Sequence, residues 1–131
     1  MKHLSHYVQE QQTALFNLTG AFFAFSQDQL NEKRVKCIIY VSLGAGLICP
    51  KNTADDLSSG LETIQQAGIK ADIAENGIPA IIQRELHNHE CQITMDSSDA
   101  FDALEQYGIT KDQVGAAWPE FWNNCVENDY F

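Results

Sequence analysis

Cys37-Ile38-Ile39-Tyr40-Val41-Ser42-Leu43 is the strongest strand signal in this chain of 131 residues. β-Branched and aromatic side chains crowd it, and these fit a pleated, half-buried surface. Gly44-Ala45-Gly46 follows, then Leu47-Ile48-Cys49-Pro50. Two apolar β-type runs joined by a glycine-flanked tip read as a hairpin. The rest of the chain must cover that hairpin, and most of it carries a helical pattern.

Residues 4–18 predict a first helix, with Leu4, Tyr7, Val8, Leu15 and Phe16 on its apolar stripe and Gly20 at its end. Ala21-Phe22-Phe23-Ala24-Phe25 is short, apolar and aromatic, which predicts a buried strand. Ser26 with Gln29 forms a capping box for a short second helix. Asn52 or Thr53 caps a third helix, which Gly68 is expected to close at Ala67 as a C′ residue. Residues 69–77 read as a looser acidic segment. Pro79 opens a helix over 79–89, with Ile78, Ile81, Ile82, Leu86 and His89 on one face. Cys91 to Met95 alternates as a strand. Asp96 to Ser98 starts another helix, closed by Gly108. Thr110 with Gln113 caps the final helix, which Pro119 is expected to interrupt or kink. The expectation is one α+β domain over residues 1–131. Its small, mostly antiparallel sheet of about four strands is covered by several helices.

Charge narrows the function classes. The formal net charge is -10, and from Glu85 to Phe131 ten acids face one base, Lys111. Such an acidic lobe repels nucleic acid and anionic membranes and favours basic protein surfaces or cations. The one dense basic patch, Lys33-Arg34-x-Lys36, is too small to argue for nucleic acid. Cys37, Cys49, Cys91 and Cys125 are widely spaced, with no C-x-x-C pair, so each reads as a buried, reduced thiol. No signal peptide and no spanning apolar run is visible, which predicts a cytoplasmic protein. The paired glycines of the hairpin tip lack the third glycine or Lys-Ser/Thr of a phosphate loop.

The densest chemistry lies in Glu85-Leu86-His87-Asn88-His89-Glu90-Cys91. Glu85 and His89 stand four apart on a predicted helix and could face one metal ion, with Cys91 just beyond. The plainer account is a hydrogen-bonded pair at a helix end, where a cationic histidine suits the dipole. His3 and His6 could add ligands only if the two groups met in space. His89 and Glu90 are the candidates for acid–base work, with Cys91 as a nucleophile. No hydrolase signature supports them, and the plainer reading of the segment is a polar corner of the scaffold. The acidic lobe offers the other candidate site. Asp99, Asp102 and Glu105, with Asn88 and His89, are the expected binding residues, and Tyr107, Trp118, Phe121, Trp122, Tyr130 and Phe131 are interleaved with acids. Trp118 and Phe121 are expected in the core. Tyr130 and Phe131 are harder to bury and could tuck into a dimer partner.

The chain resembles a family of small uncharacterised proteins of bacteria, phages and other mobile elements. The matching stretches are Gln11-Gln12 with Phe16, Phe22-Phe23-Ala24-Phe25-Ser26-x-x-Gln29 and Ser42-Leu43-Gly44-Ala45-Gly46. They continue with Glu85-Leu86-x-Asn88-His89-Glu90, Thr94-x-Asp96, Asp102-Ala103-Leu104 and Gly108-Ile109-Thr110. His87 and Cys91 depart from the pattern, which counts against a shared cysteine or three-ligand metal chemistry. The resemblance implies a mobile-element context and no mechanism. The favoured expectation is a non-enzymatic accessory protein that binds a host or element protein with a basic surface, without cofactor, nucleic acid or membrane. Counter-defence by mimicry of a phosphate backbone is one concrete version. The alternative is a small metal protein or hydrolase-like enzyme centred on Glu85, Asn88, His89 and Glu90. The apolar strand residues also leave room for a homodimer.

Overall fold

The computed structural model describes residues 2–131. It is an α+β structure that divides into two compact units, residues 2–71 and residues 72–131.

The first unit begins with α1 (Leu4–Thr19), which Gly20 terminates in the left-handed conformation. Three short strands follow, interrupted by α2 (Gln27–Lys33): β1 (Phe22–Phe23), β2 (Tyr40–Ser42) and β3 (Leu47–Pro50). They form one antiparallel sheet in the order β1-β3-β2. The hairpin is therefore present, but the strong strand signal at 37–43 yields only three paired residues. Cys37 has φ 71°, outside any strand conformation, and it is exposed rather than buried. Ser26 caps α2 by accepting from the Gln29 amide at 3.2 Å, but the expected box is half formed, since the Gln29 side chain accepts from the Phe25 amide at 2.8 Å instead of from Ser26. A 3-10 turn over Lys51–Thr53 then leads into α3 (Ala54–Asn76).

The expected stop at Gly68 does not occur, and α3 continues through it. A methyl group at Gly68 would collide with Val8 Cγ1 of α1. At Gly60, two turns earlier, one would stand 2.7 Å from a Leu15 methyl. Both glycines thus let α1 approach the α3 backbone closely. The true breaker is Gly77, with φ 80°, after which the chain restarts.

The second unit is all helical beyond the end of α3: α4 (Ile78–Asn88), α5 (Cys91–Thr94), α6 (Ser98–Glu105) and α7 (Lys111–Asn128). Ile81, Ile82 and Leu86 of α4 are buried on the face their spacing predicts, against Leu104 and Phe121. The expected strand at Cys91–Met95 is instead the single turn α5, which lowers the strand count from about four to three. Cys91 and Gln92 are both buried while Ile93 and Thr94 are exposed. Consecutive burial fits a helical turn and defeats strand alternation. Glu90 and Met95, both left-handed, bracket the turn. The Thr110–Gln113 capping box forms as predicted, and α7 runs through Pro119 without a break. Cys49, Cys91 and Cys125 are buried free thiols. Among the described residues no helix is long and apolar enough to cross a membrane.

Candidate functional site

The corner between α6 and α7 is built by local chemistry. Asp96 accepts from the Ser98 hydroxyl at 2.6 Å and the Ser98 amide at 2.9 Å, which starts α6. Those two bonds hold the Asp96 carboxyl below its ordinary range. Gly108, with φ 76°, ends the turn after α6, and the Thr110 box opens α7 three residues on.

An open groove of about 1260 Å³ lies along this corner. Its apolar lining includes Phe101, Val114 and Trp118, and its exposed acids are Asp102 and Glu105. Lys111 also lines it, with its ammonium 5.3 Å from the centre of the Phe101 ring. A cation over that ring is attracted by the aromatic face. Asp99, the third acid expected here, is exposed on α6 one turn before Asp102 and does not line the groove. The aromatic lining was not legible in the sequence as a surface, because Trp118 and Phe101 are half-buried and belong partly to the core.

The Glu85–Cys91 segment has a different character. Glu85 and His89 do meet, with Nε2 of the histidine 3.5 Å from Glu85 Oε2. The other Glu85 oxygen accepts from Arg84 Nε at 3.1 Å. Arg84 in turn sends two parallel bonds of 3.0 Å to the carboxylate of Asp72. Tyr107 donates to that carboxylate at 2.5 Å and Asn76 at 2.8 Å. Asp72 is fully buried and Arg84 nearly so. Burial alone pushes the Asp72 carboxyl up; the bonds from Arg84, Tyr107 and Asn76 outweigh it and hold the group below its ordinary value. Burial would also favour neutral Arg84, and the Asp72 bonds keep it charged. Tyr107 is pushed well up, by burial first and then by its bond to Asp72. Glu85 and His89 are thus the outer end of a network that ties the end of α3 to α4 and to the turn after α6.

Asp72, Arg84 and Tyr107 carry the strongest electrostatics of this unit; the sequence pointed to Tyr107 only as one of the aromatics interleaved with acids, and to neither of the other two. They are 12 and 23 residues apart in sequence, and no local motif joins them. The remaining candidates are spread out. Asn88 and Glu90 are exposed, at the end of α4 and the left-handed turn after it. Cys91 is buried, and burial, then the charges of Asp96 and Asp99, push its thiol up and away from a reactive thiolate. Among the described residues no group of three or more His, Cys, Asp or Glu side chains is placed to hold a metal ion. His3 and His6 are used locally, the His6 Nδ1 accepting from the His3 amide at 2.9 Å to start α1.

The terminal aromatics fold back onto their own unit. His87 packs edge-on against Phe121 and Tyr130, and Phe131 lies 5.2 Å from the Trp122 ring. Gln92 fastens this end through a 2.8 Å bond to the Tyr130 carbonyl. No curated protein and no solved structure matches the chain. One family model does, over residues 4–123, and with nearly the whole length matched the chain belongs to that family of unknown function, DUF7659.

Proposed function

We propose that the protein is a non-enzymatic binding module whose acidic second unit docks a basic segment of another protein in the α6–α7 groove. The observation that carries this reading is the pairing of apolar Phe101, Val114 and Trp118 with exposed Asp102 and Glu105 along one groove. Apolar surface supplies affinity when water is displaced, and like-signed acids select a cationic partner and speed its approach. The unit around the groove reinforces the choice: residues 72–131 hold twelve acids against two bases, a net charge of -10. One of those bases, Arg84, is committed to Asp72. The resemblance to proteins of phages and other mobile elements supports an accessory role for a phage, plasmid or gene-cassette element, acting on a host or element protein. Occupying the basic nucleic-acid channel of such a protein is the concrete form that this charge favours.

Two triple variants test the reading. In one, Asp99, Asp102 and Glu105 become lysine; in the other, Glu120, Glu127 and Asp129 do. Both change the net charge equally, and all six positions are exposed. Binding would be titrated with a partner captured from host extract and, in parallel, with a synthetic Lys/Leu amphipathic peptide. The first variant should lose binding while keeping its circular dichroism spectrum, and the second should keep most of it. Equal loss in both would mean that net charge, not the groove, does the binding. Undiminished binding by the first would overturn the assignment.

A further inference from the structure

The most β-prone segment of the chain is only partly used by the fold. Residues 37–43 contain no charge, no proline and no glycine, yet only Tyr40–Ser42 pair, and on one side only. Ile39 and Leu43, which flank the strand, are 72% and 40% exposed. Edge strands of proteins that remain monomeric are commonly blunted by shortness, an inward charge or a proline; β2 is short, at three residues, but carries neither a charge nor a proline. Leu43 donates to the Leu47 carbonyl and Lys51 to the Ile39 carbonyl, which places residues 39, 41 and 43 in hydrogen-bonded pairs with β3. By antiparallel alternation the N–H and C=O groups of Tyr40 and Ser42 point to the open edge.

We infer that β2 is a self-association edge, which pairs antiparallel with β2 of a second copy about a two-fold axis through Val41. The register follows from the outward groups: Tyr40 exchanges hydrogen bonds with Ser42 of the second copy, and Ser42 with its Tyr40. Ile39 then stands opposite Leu43 and Val41 opposite Val41, all on one face of the joined sheet. That row is apolar from end to end, and cross-strand pairs of such residues stabilise a sheet. Charge also permits the arrangement. Residues 37–43 carry none, and Lys51, the base bonded to Ile39, lies on the far side of β2 from the new seam. The joined six-stranded sheet ends on β1 at both sides, and β1 offers only two residues, so the assembly closes as a dimer.

Sedimentation of the full chain over a concentration series tests this. A short edge with an apolar row predicts a dimer with Kd on the order of tens of micromolar, the range of small interfaces. Ile39→Lys puts two lysines into the row and should weaken association at least about tenfold, with unchanged melting, because the position is exposed. A chain that stays monomeric at several hundred micromolar, or a dimer indifferent to Ile39→Lys, overturns the inference. Val41→Cys in a Cys37→Ser background decides independently. The Val41 pair would be a non-hydrogen-bonded one, with Cα atoms about 4.5 Å apart, within disulfide reach. Mild oxidation should link that variant into a covalent dimer. A dimer that forms but does not cross-link has used another surface.

Discussion

Asp72 shows how one residue can organise a unit without belonging to any motif. Its carboxylate accepts from Arg84, Tyr107 and Asn76 and is fully buried. Removing it strips the buried Arg84 guanidinium of both parallel bonds and leaves it the 3.1 Å pair with Glu85; breaking a buried ion pair in this way costs about 3–5 kcal/mol. Asp72→Ala should therefore lower stability by that amount in urea titration, a large part of the total for a chain of this size. Tyr107→Phe removes the bond donated to Asp72 and the longer one accepted from Arg84 at 3.3 Å, and should cost about 2 kcal/mol. The same network predicts the pH response. The Asp72 carboxyl titrates in the fold below its ordinary 3.8, so its contribution is complete above that value and is lost as pH falls through the lowered one. Tyr107 has the opposite sense: its contribution is complete below 10.0 and is lost as pH rises through its raised value. Melts of the wild type minus those of Asp72→Asn should show the acid limb, and those of Tyr107→Phe the alkaline one. Parallel curves in both comparisons would mean that the pair does not contribute to folding as its geometry implies. His89→Ala removes a part-buried 3.5 Å pair with Glu85, which keeps its 3.1 Å bond from Arg84, and should cost about 1 kcal/mol.

At the scale of elements, what was legible in the sequence was what neighbouring residues decide. Ser26 with Gln29 and Thr110 with Gln113 cap the helices their spacing announces, because an N-cap bond spans only three residues. The α4 stripe and the glycine hairpin were legible for the same reason. Gly68 was misread because its cause is tertiary: Val8 of α1 occupies the space a Cβ would need. Alanine is ordinarily the better helix former by about 1 kcal/mol. Gly68→Ala should nonetheless destabilise the protein by about 1–3 kcal/mol, since overpacking forces α1 away from α3. A rise in melting temperature would show that the helices yield there at little cost. Cys91–Met95 was misread because five residues carry too little periodicity to separate a strand from one helical turn. The acidic character of the site was visible in composition. The groove was not, since it depends on the corner that brings Phe101 and Trp118 together with Asp102 and Glu105.

For the whole molecule, charge and exposed apolar surface are divided between the units. Residues 72–131 carry all of the net charge, while residues 2–71 hold six acids and six bases. Among the described residues, seven of the twelve large hydrophobics with substantial exposure fall between Leu18 and Leu43. The two proposed contacts therefore rest on different forces, and salt should separate them. Binding of a cationic segment in the groove draws on exposed charges, which are screened over about 10 Å at 0.1 M salt and about 3 Å at 1 M. Pairing of β2 edges draws on backbone hydrogen bonds and apolar burial, which salt leaves intact. Raising sodium chloride from 0.1 to 1 M should weaken binding of the Lys/Leu peptide by at least about tenfold, because association loses its electrostatic steering. Over the same range the dimer Kd should hold or tighten. Titration and sedimentation of one preparation at both salts would read the two effects side by side. If both contacts weaken together, they share the acidic surface, and the division of labour between the units is wrong.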